Sequence, residues 1–503
     1  MKEFFNDYAR ILTITSEGPV KSLAYKRLRM CHQNFKLHRL LNQDREEEAI
    51  QDDPRDFSNI VKVDTHIHLA AAMTAKHLLL FIKNKAKTEG DRIVMKSKEG
   101  TPMTLRQVFQ KLDLNPEQLN LDGLDVHADE AFQRFDIFNT KYNPFGKSEL
   151  REIFLKSDNY MGGEYFAEIT KQLLVKLEES QYLAAEYRIS IYGRSAAEWD
   201  SLAGWVTKHN LKSPNQRWII QVPRLFVVYQ RAKALSNYQE MLENIFRPLF
   251  ECTIDPQSHP LLSQLMVDVS GFDSVDDESR PEVDFSQHVS STKPQDWTHD
   301  NPPYAYYMYY MWANITALNK LRKSKGLNQF SFRPHSGESG PVEHLAASFL
   351  AADSINHGIK LQESPVLQYL YYLKQVGLAV SPLSNNKLFV NFNLNPFKKF
   401  FYRGLNVSLS TDDPLQFHFT ETPLIEEYAI AAQKWGFSVN DLSEIASNSV
   451  RQSGFEDDTK KKWLGPNYKA GGIAGNDIAY TNVPNIRVAF RTRCLQEELK
   501  LLQ

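Results

Sequence analysis

The chain has 503 residues, too many for one small core but within reach of a single barrel domain with additions; its 42% hydrophobic and 24% charged content is ordinary for a globular protein. A net charge of −2 supplies no global basic field, which excludes recruitment to nucleic acid or an anionic membrane by charge alone. The three cysteines, Cys31, Cys252 and Cys494, form neither a CxxC pair nor a disulfide framework, so any metal site has to be built from His and carboxylate.

The opening MKEFFNDYARILTI carries acids early and makes a poor secretory signal, and the apolar run Leu78–Ile82 is far too short to span a bilayer, so a cytoplasmic location is expected. Residues 1–56 predict a helical arm packed on the main domain. Leu23, Leu28, Phe35, Leu37, Leu40 and Leu41 fall roughly on one helical face, before a loop-like acidic stretch, NQDREEEAIQDDPRD. From residue 59 onward short apolar runs alternate with helical segments. IVKVDTHIHL, AEYRISIYG, RWIIQVPR, MVDVSGFDS, FSFRPHSGE, INHGIKL, LAVSPLSNN and NVSLSTDDP read as strands. Such alternation predicts a parallel sheet, and eight candidates favour an α/β fold of the TIM-type (β/α)8 barrel class over an open doubly wound sheet. Residues 57–440 would form the barrel, with an insertion at about 86–180 after the first strand lying over its mouth. Residues 273–303 form a long loop after the fourth strand, and 441–503 a helical and irregular extension. Neither a GxxxxGK[ST] loop nor a GxGxxG fingerprint is present, which weighs against an NTPase or a dehydrogenase.

Nearly every candidate strand ends in polar residues, and in a parallel barrel those ends share one face. In Val63-Asp64-Thr65-His66-Ile67-His68 the two histidines are two apart, so both point to one side of the strand and form half of a zinc site. His335, in Arg333-Pro334-His335-Ser336-Gly337-Glu338, offers a third ligand. Glu338 can then reach the space beside the metal and move protons, or simply favour a helix start; Gly337 and Gly340 suggest close approach by a ligand. His357, in Asn-His-Gly, could hydrogen-bond a water at the metal. Asp412 and Asp413 project differently, so one can ligate metal while the other meets substrate; a helix-capping Asp-Asp-Pro turn is the plain alternative. Taken singly each motif has a structural explanation. Together, in strand order, three histidines and one aspartate suit Zn2+ with room for a water.

These motifs resemble the AMP deaminase branch of the adenosine/AMP deaminase family. The resemblance runs from about Gly18 to TNVPNIRVAFR, and is densest in VDTHIH, KYNPFGKSELREIFLK, EYRISIYGRS, FDSVDDES, SPVLQYLYYL, SPLSNN and RGLNVSLSTDDPLQFHFT. It implies a TIM-type barrel that hydrolyses the 6-amino group of an adenine nucleotide, releasing the inosine nucleotide and ammonia. It implies one Zn2+ per chain on His66, His68, His335 and Asp412, with Glu338 protonating the ring N1 and His357 as the base that activates water. Asp413 would accept a hydrogen bond at the purine N7 edge and Gly271 would offer a backbone contact. His68, Asn139, Lys141, Tyr142 and Gln416 would also bind substrate. A homodimer or homotetramer, with no nucleic-acid or membrane partner, completes the expectation.

Where most members of that family read approximately CMNQKHLLRFIK, this chain reads AMTAKHLLLFIK, so Ala72, Thr74, Ala75 and Leu80 stand for Cys, Asn, Gln and Arg; Ile137 stands for a Lys. The metal and proton machinery is intact while the expected phosphate pocket has lost positive charge. AMP ranks first as substrate, ADP or ATP next, and adenosine last. A non-catalytic nucleotide sensor and a different metal-dependent hydrolase are the rivals.

Overall fold

The computed structural model describes residues 1–51, 56–128, 139–280, 282 and 290–502. The strands are β1 (Lys62–His68), a separate antiparallel hairpin of β2 (Ile93–Lys96) and β3 (Pro102–Thr104), then β4 (Leu183–Ser190), β5 (Gln216–Pro223), β6 (Val269–Val275), β7 (Ser331–Phe332), β8 (His335–Ser336), β9 (Ser354–His357), β10 (Gly377–Val380) and β11 (Val407–Leu409). Outside the hairpin every pairing is parallel, in two sheets of order β1-β4-β5-β6-β7 and β11-β10-β9-β8. This is an α/β fold. Helices such as Ala197–Lys208, Tyr304–Ser324, His344–Ala351 and Pro365–Lys374 connect successive strands, as parallel pairing requires. With helices covering them, the strands are buried along their length, and all seven residues of β1 are inside.

The two sheets meet on both sides. FSFRPHSGE was expected as one strand, but Pro334 has no N–H to give a ladder, so the chain leaves the first sheet after β7 and enters the second as β8. Arg333 N still donates to Phe272 O at 2.8 Å and Asn356 N to Pro334 O at 3.0 Å. On the other side, Ile67 and Asp412 form an isolated parallel bridge. There His68 N donates to Asp412 O at 2.9 Å and Asp412 N to His66 O at 2.8 Å. The segment INHGIKL also ends early: Gly358 adopts φ 68° and a 3-10 turn, Ile359–Glu363, follows.

The first 51 residues form two helices, Lys2–Ser16 and Gly18–Gln51. The expected loop over NQDREEEAIQ is helix as far as Gln51. Glu, Arg and Gln are good helix formers, and Glu46 is held there by His38 (2.9 Å) and by Arg487 (3.0 and 2.7 Å). The expected apolar face is also corrected. Leu28 and Phe35 are buried with Ala24 and Cys31, at helical spacing, whereas Leu23, Leu37, Leu40 and Leu41 are exposed. The aromatic run from Tyr304 packs inward: Tyr304, Tyr306 and Tyr307 are buried, and Trp312 stacks on Phe4 with ring centroids 5.8 Å apart. Helices Val439–Gln452 and Asn485–Lys500 cover the N-terminal ends of β10 and β11. Among the described residues no helix is long and apolar enough to cross a membrane.

Candidate active site

β1 delivers His66 and His68 at its C-terminal end. Its register against β4 shifts between Asp64 and Ile67, an irregularity that re-aims the side chains beside it. Asp64 fixes this turn from beneath: its carboxylate accepts from Thr411 Oγ1 at 2.5 Å and from the backbone N–H of Thr411 and His66, both at 3.3 Å. The rings of His66 and His68 lie 5.2 Å apart. Two residues of the site sit in left-handed backbone conformation, Asp412 at φ 63° and His357 at φ 70°; Asp and His tolerate this region better than most side chains, and such strain gathers at functional sites.

His66 Nε2 lies 3.1 Å from His335 Nε2 and 3.4 Å from Asp412 Oδ1, and His68 Nε2 lies 3.2 Å from the same oxygen. Four donors placed tetrahedrally at about 2.0–2.1 Å from one ion stand about 3.3 Å apart, so these three separations have the length of tetrahedron edges. His357 joins this cluster at a greater distance, its Nε2 3.9 Å from Asp412 Oδ2 and 3.3 Å from Glu338 Oε1. Two groups of donors lie within 4.8 Å of one another, His66 with His335, His357 and Asp412, and His68 with Asp412 and Asp413, so a divalent metal at this corner has His and Asp donors to draw on. Of the expected ligands, His68, His335 and Asp412 are held by outer partners, while His66 Nδ1 is buried with none among the described residues. His68 Nδ1 meets Gln221 Oε1 at 2.7 Å, and Ser384 Oγ donates to Asp412 Oδ2 at 2.7 Å. His335 Nδ1 and its backbone N–H lie 3.0 Å from Asp273 Oδ1. Asp273 in turn accepts from Arg188 Nε at 2.7 Å, and Arg188 reaches Thr65 O at 2.8 Å and Asn356 Oδ1 at 2.9 Å. Such partners fix ring orientation and tautomer at metal sites.

Burial, and then the charge of Asp412, holds the Glu338 carboxyl protonated well above the usual carboxylate range. Burial pushes His357 down to about 3, so it is neutral. Burial opposes charge on His68 too, but its bond to Asp412 prevails and lifts it to about 9. Asp413 is raised to about 7, by burial first and by Asp412 second. Its Oδ2 accepts from Tyr142 Oη at 2.6 Å, while its buried Oδ1 has no partner.

These groups open onto a cavity of about 740 Å3, large enough for a nucleotide, whose wall includes His68, His335, Glu338, Asp412, Asp413 and Tyr142. Lys141 is not on that wall; it pairs with Asp125 at 2.5 Å. Gln416 is buried beside Asp413, with both amide atoms unpaired, outside the lining. Gly271 is also away from the cavity. A side chain there would meet Ser331 O at 2.4 Å, so the glycine serves packing of β6 on β7. Asn139 contributes backbone to the 3-10 turn Asn139–Tyr142, and Ile137 lies outside the described residues. Gly337 and Gly340 do not mark a ligand's approach: both have φ 68°, and added Cβ atoms would strike Leu345 and the Glu278 carbonyl. Leu80, 56% exposed, faces solvent, so the charge missing at that position does not reach the cavity. Thr74, in place of Asn, still caps helix Ala75–Thr88 by accepting from His77 N at 3.3 Å.

The wall also contains residues that motif reading passed over. Arg151 lies with its guanidinium carbon 5.2 Å from the Tyr142 ring centre, and Lys156 stands near Tyr192. Among the described residues neither pairs with a carboxylate, whereas Arg194 is met by Glu198 and Arg280 by Asp277. Both lie in KYNPFGKSELREIFLK, where an Arg and a Lys on a short helix and its exit look like ordinary surface charge.

The sequence profile described as AMP deaminase matches residues 1–503. Among curated proteins the chain is similar to a probable AMP deaminase of Oryza sativa subsp. japonica, 53% identical over 502 residues, covering 99% of this chain and 61% of that protein. It is 54% identical over 500 residues to an AMP deaminase of Arabidopsis thaliana, covering 99% of this chain and 59% of that one. An apo structure of the N6-methyl-AMP deaminase from Arabidopsis thaliana aligns with TM-score 0.47 and 12% identity, over 81% of this chain and 95% of that one. The chain thus spans about three-fifths of the length of these two curated relatives.

Proposed function

The chain belongs to the AMP deaminase family, and from that premise we propose that it hydrolyses the 6-amino group of AMP, giving IMP and ammonia. The observation that carries this reading is the Glu338 carboxyl, on the wall of a nucleotide-sized cavity and held protonated, with the neutral ring of His357 buried 3.3 Å behind it. A non-catalytic sensor has no use for that pair. The same reading takes the metal as Zn2+ on His66, His68, His335 and Asp412. When bound, it supplies a Lewis acid that polarises the attacking water.

The chain's own groups then divide the work. Glu338 gives its proton to the ring N1, so no anionic ring nitrogen has to form as the water oxygen bonds to C6. His357 takes one proton from that water and passes it to the departing amine, which leaves as ammonia, while the proton left on the C6 hydroxyl returns to the Glu338 carboxylate as the carbonyl forms. For this the His357 Nε2 must carry a lone pair and its Nδ1 a proton, which requires the Asn385 amide, whose Nδ2 lies 3.2 Å from Nδ1, to turn its unpartnered Oδ1 toward that nitrogen. The bond expected at the purine N7 edge runs the other way: N7 has no hydrogen to give, so a protonated Asp413 donates to it. The free Oδ1 and the pKa of about 7 support this. Arg151 and Lys156, cations without acid partners among the described residues, replace Lys141 as the groups that meet the 5′-phosphate.

We read the two sheets as one closed eight-stranded barrel, supported by the Ile67–Asp412 bridge and by β7 and β8 acting as one interrupted strand. In the same proposal the described parts of 1–56 and 441–503 flank it as arm and extension, and those of 86–180 are an insertion over the mouth. A homo-oligomer, measured by light scattering, belongs to the same proposal. The deciding experiment incubates zinc-loaded protein with AMP, ADP, ATP and adenosine and follows conversion of adenine to hypoxanthine absorbance. Turnover fastest with AMP is expected. No turnover of any of the four with zinc bound would remove the enzymatic reading.

A further inference from the structure

A second cavity, of about 240 Å3, lies at the N-terminal ends of β10 and β11, away from the strand ends that carry the histidines. Helices Gly18–Gln51, Val439–Gln452 and Asn485–Lys500 close it, and it shares no lining residue with the catalytic cavity. Four arginines, Arg403, Arg451, Arg487 and Arg491, face it, against one lining carboxylate, Glu444.

Two of the four are neutralised. Arg487 bonds to Glu46 at 3.0 and 2.7 Å and to Asp441 at 2.7 Å, and Arg491 bonds to Glu444 at 2.7 and 3.3 Å. Among the described residues the other two meet only neutral acceptors. Arg451 donates to the carbonyl oxygens of Tyr468 (2.5 Å) and Gly475 (3.0 Å), and Arg403 to the amide oxygen of Gln368. Arg403 Nε is buried with no partner at all. The local field is correspondingly positive: His32 is pushed down to about 4, by burial first and then by Lys36, Arg403, Lys399 and Lys398. Arg403 is half-buried and Arg451 exposed, and among the described residues neither guanidinium facing this space has a counter-anion, so an anion placed between them would be attracted by both.

We infer that this cavity is a binding site for a compact oxyanion, a phosphoryl or pyrophosphoryl group, gripped by Arg403 and Arg451. Planar guanidinium forks match such oxygens in pairs. The volume is below the range of whole drug-sized ligands, so a phosphate group fits where a complete nucleotide does not. Its occupant joins the N-terminal helix, the start of β11 and the C-terminal helix without touching the reacting atoms.

The test is calorimetric titration of sodium pyrophosphate at constant ionic strength. Because the catalytic cavity has its own cations, Arg151→Gln/Lys156→Gln protein is the background. Binding is expected to persist there and to weaken at least about tenfold on adding Arg403→Gln, as loss of one charge-assisted contact predicts. Arg451→Gln, at a more exposed position, gives the same loss if Arg403→Gln fails to fold. Pyrophosphate binding absent from the Arg151→Gln/Lys156→Gln background, or unchanged by removal of Arg403 or Arg451, overturns the assignment.

Discussion

Replacing Asp273 by Asn tests whether the carboxylate behind His335 is part of the metal centre. Asp273 is fully buried and takes three donors: Arg188 Nε at 2.7 Å on one oxygen, and the ring and backbone N–H of His335 at 3.0 Å on the other. An amide keeps one acceptor and turns an N–H₂ toward either Arg188 or His335, so one donor pair must collide. Among the described residues Arg188, 1% exposed, has no other carboxylate partner. Leaving such a charge unpaired costs about 3–5 kcal/mol of stability. Losing the bond that orients His335 weakens metal binding by about 10–100-fold, equivalent to about 1.4–2.8 kcal/mol. Competition with a chromophoric chelator measures the second quantity and urea unfolding the first. If Asp273→Asn protein holds zinc within twofold of the parent and unfolds within about 1 kcal/mol of it, the chain from Arg188 through Asp273 to His335 has no such role.

Glu338→Gln should keep zinc at parental stoichiometry and lose turnover by at least about 10²-fold, since the amide cannot give N1 its proton; full activity removes Glu338 from the mechanism. Arg151→Gln combined with Lys156→Gln should raise KM for AMP by about tenfold or more while leaving that for adenosine unchanged, and equal effects on both would place the phosphate elsewhere. A stability measurement against pH tests the clamp behind the Glu338 loop. His344 meets Glu278 at 3.0 Å and Glu282 at 3.2 Å, and Glu278 also accepts from Gly337 N at 2.9 Å. Burial works against charge on His344, but the two carboxylates raise it to about 9. A raised folded-state pKa means stability fully present below about 6.5 and lost between about 6.5 and 9, amounting to about 3 kcal/mol. His344→Gln should flatten that loss; an unchanged pH profile refutes the clamp.

The residues brought together at the site were readable where chemistry and strand periodicity coincide. His66 and His68 share a side because alternate strand residues do, and His335, His357 and Asp412 announce themselves at the ends of apolar runs. What holds them was not readable. Arg188 and Asp273 are charges inside strands whose meaning depends on a partner 85 residues away. Gly337 and Gly340 looked like room for a ligand because sequence records the missing side chain and not Leu345 or Glu278, the neighbours that require it. The buried face of Gly18–Gln51 was hidden for a similar reason: six apolar residues lie roughly on one side, but packing against helices Pro365–Lys374 and Phe397–Arg403 selects Ala24, Leu28, Cys31 and Phe35. Leu80 was weighed as a lost pocket charge because composition does not say which way a helix is turned.

The Ile67–Asp412 bridge has a consequence for how the protein is made. Of the four donors proposed for the metal, Asp412 is the last to leave the ribosome, and its backbone is also what seats it against β1, through His66 O and His68 N. Until that segment has been translated, the three histidines have nothing to complete their set, and no partly synthesised chain can present the full one. Metal uptake is thereby tied to completion of the fold, and a chain stalled before residue 412 stays without its centre.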